Sequence, residues 1–189
     1  TRLPGVEIVP GQGEARPFKN SGFDYSRSEG YINYKINNNL TIQFGHGKHF
    51  IGNGYRSLIL SDNTFSYPFL RLQTNLGIFR YTNLYTEFMD IRNNQLSVID
   101  GYQGWSRKYM SLHFLECEIN DRIKIGVFES IIYAENHAPG VSSLDINYLN
   151  PIIFYRPVEY SLGSPDNALI GIDLKFNTSK NQFLYAQLI

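Results

Sequence analysis

Residues able to do chemistry are sparse in this chain, and most sit between its apolar runs. His46 and His49 lie in GHGKHF, residues 45–50. On an extended chain a spacing of three places two side chains on opposite faces. With no Cys or third His nearby, the pair makes a poor zinc site, and no metal or other cofactor is expected. The single cysteine, Cys117, stands between Glu116 and Glu118, whose charges disfavour a thiolate nucleophile. Glu129, Glu135, Asp145, Glu159 and Asp166 are of the type that supplies a glycosidase pair, but no spacing singles out two of them. The same carboxylates suit ion pairs with Arg71, Arg80 and Arg156 across a polar lumen. There is no G-x-S-x-G elbow, phosphate-binding loop or dinucleotide fingerprint. Catalysis is therefore not expected, and a hydrolase using Glu135 and Asp145 is kept only as a distant alternative.

Binding is better served. The stretch GHGKHFIGNGYRSLILSDNTFSYPF, residues 45–69, has glycines at 45, 47, 52 and 54 that permit tight backbone. Arg56 offers a planar fork of donors and Asp62 an acceptor, both suited to sugar hydroxyls or an acidic polymer. The first expectation for Arg56, ahead of ligand contact, is pairing with a carboxylate inside a barrel and holding its own loop. In NNQLSVIDGYQGWSRK, Tyr102 and the only tryptophan, Trp105, can stack on a sugar ring, anchor a loop or sit at a membrane interface. The stretch YLNPIIFYRPVEYSLGSPDN, residues 148–167, carries Arg156 between Pro151 and Pro157 and Glu159 just beyond them. Proline cannot donate to a ladder, so this segment is expected to fold against or into a barrel mouth. Ile152, Ile153 and Phe154 would then pack on the wall while Arg156 and Glu159 meet polar groups. The candidate ligand-binding set is thus Arg56, Asp62, Trp105, Arg156 and Glu159.

These stretches are links between hairpins. In GYINYKI-NNN-LTIQFGHGK, apolar Ile32, Tyr34, Ile36, Leu40, Ile42 and Phe44 alternate with polar Asn33, Lys35, Thr41 and Gln43 around an Asn-rich turn. Comparable units span Phe69–Ile91, Tyr109–Tyr133 and Ala168–Ile189, giving eight candidate strands. Turns within hairpins take about three to five residues. The links between hairpins are long, roughly 46–66, 90–107 and 135–166. Short and long links alternate throughout, as in a transmembrane barrel with short periplasmic turns and long extracellular loops. A soluble sandwich or barrel shares part of this pattern. Residues 1–29, with Gly5, Gly11, Gly13, Gly22 and three prolines, read as an irregular segment.

Composition agrees with either setting. The 17 basic and 17 acidic residues cancel, so no bulk field draws nucleic acid. Charged residues make up 18% and aromatics 15%, against roughly 25% charged in a typical soluble domain. No run of 18 apolar residues offers a transmembrane helix, which leaves strands as the way to cross a bilayer. Beginning at Thr1 without Met or signal peptide, the chain is expected to be mature or a piece of something longer.

Three blocks in order, residues 45–72, 108–133 and 148–176, resemble the Wzi-like capsule-assembly family. The closest likeness is to its Bacteroidetes branch of gliding-motility outer-membrane proteins, over roughly residues 22–189. The resemblance implies an outer-membrane barrel with more strands than the eight legible here. It also implies a lectin-like, non-catalytic role in holding surface polysaccharide, or adhesion in motility.

The expected architecture is all-β, an antiparallel transmembrane β-barrel or a large portion of one, over residues 30–189. The bacterial outer membrane is the expected location, with surface polysaccharide, outer-membrane lipid and other outer-membrane proteins as partners. A structural subunit of a secretion or motility complex is the alternative, and a diffusion porin a further one. Ile32, Ile42, Ile125 and Ile172 would face lipid, and Lys35, Gln43, Lys124 and Asp173 the lumen.

Overall fold

A computed structural model describes residues 7–9, 13–89, 96–99, 102–105, 107–134, 146–152 and 166–189. The segment expected to be irregular holds three short strands, β1 (Glu7–Val9), β2 (Gly13–Phe18) and β3 (Gly22–Asp24), paired antiparallel in a small sheet of their own. Eight strands then follow the alternating pattern: β4 (Gly30–Lys35), β5 (Leu40–Gly47), β6 (Tyr67–Leu76) and β7 (Phe79–Met89) before the second link. A separate hairpin, β8 (Leu96–Ile99) with β9 (Tyr102–Trp105), lies within that link. Beyond it come β10 (Arg107–Asn120), β11 (Ile123–Ala134), β12 (Asn167–Ser179) and β13 (Gln182–Leu188).

The large sheet is an antiparallel meander in the order β13-β12-β11-β10-β7-β6-β5-β4. Asn side chains shape its tight turns. Asn37 Oδ1 accepts from the backbone N–H of Asn39 and Leu40, and Asn120 Oδ1 does the same for Arg122 and Ile123. Gly77 turns with φ of 60°, a conformation that a side chain disfavours. Closure into a barrel is not observed. Among the described residues β4 pairs only with β5, and β13 only with β12, so the sheet is open at both edges.

The turns step regularly along the sheet. Leu40 pairs with Thr74 and β6 continues to Leu76; Phe79 pairs with Cys117 and β10 continues to Asn120; Ile123 pairs with Phe176 and β12 continues to Ser179. Each hairpin thus ends two or three residues beyond the last, a step of about 9 Å along the strand against about 9.6 Å across two strands. If the turns lie in one plane, the strands are tilted by about 40°.

Register sorts the side chains as the alternation predicts. Ile32, Phe44, Leu70 and Tyr85 stand in one cross-strand row, and Ile125 and Leu174 in another, all on one face. Lys35, Gln43, Lys124 and Asp173 take the opposite face. That second face carries the main core, built on Phe69, Leu84, Leu112, Phe114 and Phe128. The first link lies over it. The apolar face is largely uncovered at the sheet flanks and turn side, with Ile32 75%, Leu184 64% and Leu188 70% exposed.

Close backbone approach at the β4–β5 pair requires glycine at position 45. A Cβ there would lie 2.3 Å from Gly30 O and 2.6 Å from Tyr31 Cα, which no rotamer change relieves. Gly45→Ala should therefore cost about 1–3 kcal/mol, read as a lower urea midpoint. Gly30→Ala, with nothing within 4 Å of its Cβ position, should leave the midpoint nearly unchanged.

Candidate functional site

Residues 48–66 form a tongue laid across the core face. Its two arms meet at the Ile51–Leu60 bridge, with Ile51 N–H donating to Leu60 O at 3.0 Å. Ile51 and Ile59 are buried with Phe69, Leu84, Leu112 and Phe128, so the hydrophobic effect holds the arms to the sheet. Ahead of the bridge the chain turns at Gly52, where φ is 108° and a Cβ would meet Gln187 and Ser57 at 2.5 Å. The tip reaches β12 and β13, with β7, β10 and β11 between it and the strand to which the link returns.

Asp173 on β12 is fully buried and fixes that reach. It accepts from Asn53 N–H at 3.1 Å, from Asn53 Nδ2, and from Gln187 Nε2 at 2.7 Å. Gln187 also donates to Ser57 Oγ at 3.2 Å and accepts from Leu58 N–H at 2.9 Å. Ser57 Oγ in turn donates to Ile51 O. Both sides of the tip are thereby pinned. Between the pins Tyr55 is 84% exposed and Arg56 is exposed as well.

The expected site residues fall as follows. Neither Arg56 nor Asp62 has an ion pair or side-chain hydrogen bond among the described residues, so the loop is held by Asn53, Ser57 and Gln187 and not by an arginine–carboxylate pair. Asp62 is exposed on the returning arm, past the Ile51–Leu60 bridge. Trp105 closes the β8–β9 hairpin opposite Leu96, and its side chain lies outside the described residues. Arg156 and Glu159, like Glu135 and Asp145, also lie outside them. Of the lumenal ion pairs expected, Arg80 meets Glu116 at 3.3 Å, whereas Arg71 donates to Gln73 Oε1 at 2.7 Å. Tyr55 carried a legible signal, an aromatic beside an arginine in a Gly-rich loop. The Asn53–Asp173–Gln187 clamp carried none.

The described part of the third link, residues 146–152, lies on the other face. Its residues Ile146–Leu149 make one 3-10 turn, and Tyr148 is buried with Tyr109, Ile131 and Tyr133. Leu149 O accepts from Tyr85 OH at 3.0 Å, and Pro151 O accepts from Tyr81 OH at 2.8 Å and Asn83 Nδ2 at 3.0 Å. The segment therefore docks through its carbonyls on the wall that carries the apolar rows. Ile152, expected to pack on that wall, is 84% exposed. Beside the docking site His113 Nδ1 lies 3.2 Å from Glu129 Oε1, both buried.

His49 is built into the root of the tongue. Its ring meets Phe69 edge-on at 4.2 Å and stacks with Tyr67 at 5.9 Å, and its backbone N–H donates to Tyr67 OH. Burial, reinforced by the positive charge of Arg71, pulls its pKa down from the usual 6.5 to about 4. His46, by contrast, places Nδ1 2.9 Å from Ser28 O.

Asp173→Ala removes the acceptor of three donors and should cost about 3 kcal/mol. Limited proteolysis checks this, with cleavage expected between residues 52 and 60 in the variant first. For His49 the released state takes a proton more readily than the docked one. Docking is thus at full strength above pH 6.5 and weakens as pH falls from 6.5 towards 4. The same cleavage assay should quicken over that window for the wild type and lose this component in His49→Phe. Comparison of the chain with protein-family models, with curated proteins and with solved structures finds no match.

Proposed function

We propose that this sheet is part of the wall of an antiparallel β-barrel in a bacterial outer membrane. Its long-link side binds or retains surface polysaccharide, for capsule assembly and attachment or for adhesion linked to gliding motility. The observation that carries this reading is the meander itself. Short turns close one end of the sheet, long links leave the other, and one face keeps apolar residues uncovered. With the turns in one plane, the register stagger corresponds to a strand tilt of about 40°, which suits a barrel wall. The core face with its tongue would then be lumenal. The apolar flanks, including Phe176 and Leu188, would meet lipid, and the docked Leu149–Pro151 stretch would cover Asn83. The resemblance to capsule-assembly proteins supplies the polysaccharide, and Arg56, Asp62, Trp105, Arg156 and Glu159 are the side chains to test first.

A second reading, a structural subunit of an outer-membrane secretion or motility complex, draws on the two open edges. Each offers unpaired backbone groups to a neighbouring chain. Stoichiometric co-purifying protein would favour it. The polysaccharide reading expects retention on a surface-polysaccharide array and loss of capsule retention on deletion; the absence of both would refute it. For the wall assignment, a charge on the lipid face should cost about 2–4 kcal/mol. Ile125→Arg should abolish the heat-modifiable folded band. Lys124→Ala, which loses a part-exposed pair with Glu118 at 3.0 Å, should keep it. Equal behaviour of the two would remove the barrel.

A further inference from the structure

We infer that the tip of the tongue, Tyr55 with Arg56, is a preorganised subsite for an anionic sugar, a uronate, of the bound polysaccharide. This rests on the polysaccharide reading and narrows it. Three observations converge on the tip. It is pinned on both flanks, by Asn53 on Asp173 and by Ser57 and Leu58 on Gln187, so little ordering remains to be done on binding. Its two side chains are nonetheless uncommitted. Tyr55 presents 84% of its surface to solvent, although Ile51, Gly54, Ser57 and Ile59 around it are buried. Arg56 has no acidic partner among the described residues.

The sheet beneath repeats the same chemistry. Gly54 rests against Tyr185, whose ring carbon lies 3.0 Å from the glycine's Cβ position. Tyr185 is the cross-strand partner of Lys175, and Lys175 Nζ lies 4.7 Å from the centroid of the Phe183 ring. A cation and two part-exposed rings therefore stand on the strands against which the tip rests. The nearby carboxylate, Asp173, is buried with its oxygens taken up by Asn53 and Gln187 and makes no ion pair among the described residues. A uronate matches this set. Its carboxylate takes the guanidinium fork bidentately, and the C–H face of its ring lies on tyrosine. A neutral hexose would use the ring contact alone.

The test uses the purified full chain in detergent, titrated calorimetrically with polygalacturonate and with dextran, after the folded state of each variant is confirmed by heat modifiability. Tyr55→Ala and Arg56→Ala should each weaken polygalacturonate binding at least tenfold, and Arg56→Lys, which keeps charge but not the fork, by less. Added salt should weaken the wild type but not Arg56→Ala. If the wild type binds polygalacturonate and both alanine variants bind it equally well, the subsite is wrong while the polysaccharide reading stands. Equal binding of dextran and polygalacturonate by the wild type overturns the uronate preference in the same way. Failure to retain either polymer, together with a blank polysaccharide array, removes the parent reading and this one with it.

Discussion

A carboxylate with no access to water constrains the arrangement of the whole core face. Burying Asp173 is costly unless its oxygens are satisfied, and the donors that satisfy it come from a loop entered five strands away in the sheet and from the neighbouring strand. Because the register puts Asp173 on the side of Phe114 and Phe128, the clamp pulls the tongue over the aromatic core instead of out into solvent. Gly126 and Gly171 make room for this layer. A Cβ at either would lie 2.5 Å or less from the Phe114 or Phe128 ring. The tongue, the core and the exposure of Tyr55 and Arg56 are consequences of one buried charge and its neutral donors.

The two faces solve different problems. The core face is closed by a loop whose apolar arms contribute burial and whose tip contributes polar contacts. Among the described residues the other face is covered over its central strands, by carbonyls of Leu149 and Pro151 accepting from Tyr81, Asn83 and Tyr85. That choice explains why a proline-interrupted segment lies there. Pro151 has no N–H to lose, and it is its carbonyl that docks. The uncovered flanks are mostly apolar, and the buried polar side chains of this face, Asn83, Ser111, His113 and Glu129, lie on its central strands.

Most of the sheet was legible in the sequence because period-two alternation and Asn- or Gly-bearing turns are local signals. The faces of Ile32, Ile42, Ile125 and Ile172 against Lys35, Gln43, Lys124 and Asp173 follow from that period alone. The strands within residues 7–24 and the β8–β9 hairpin were missed because strands of three to six residues, several of them beside glycines and prolines, leave no periodic run to read. The site was less legible still. Asn53 and Asp173 are 120 positions apart, and nothing in either neighbourhood announces the other. Arg56 was recognised as a candidate, but the expected reason for its presence, an ion pair holding the loop, belongs instead to uncharged Asn53 and Gln187.

That division of labour bears on what the arginine is for. A loop anchored through its arginine would leave no free cation, and the clamp would compete with any ligand for the same fork. Anchoring through amides and a serine removes that competition. The desolvation cost falls on Asp173, which never has to face a ligand. The guanidinium stays exposed and uncommitted. The same logic applies to the aromatic. Tyr185 supports Gly54 from below, so Tyr55 is not needed for packing and remains outside. Structural and exposed roles are thus separated within a tip of six residues, Asn53–Leu58, and binding chemistry can vary at positions 55 and 56 without loosening the tongue.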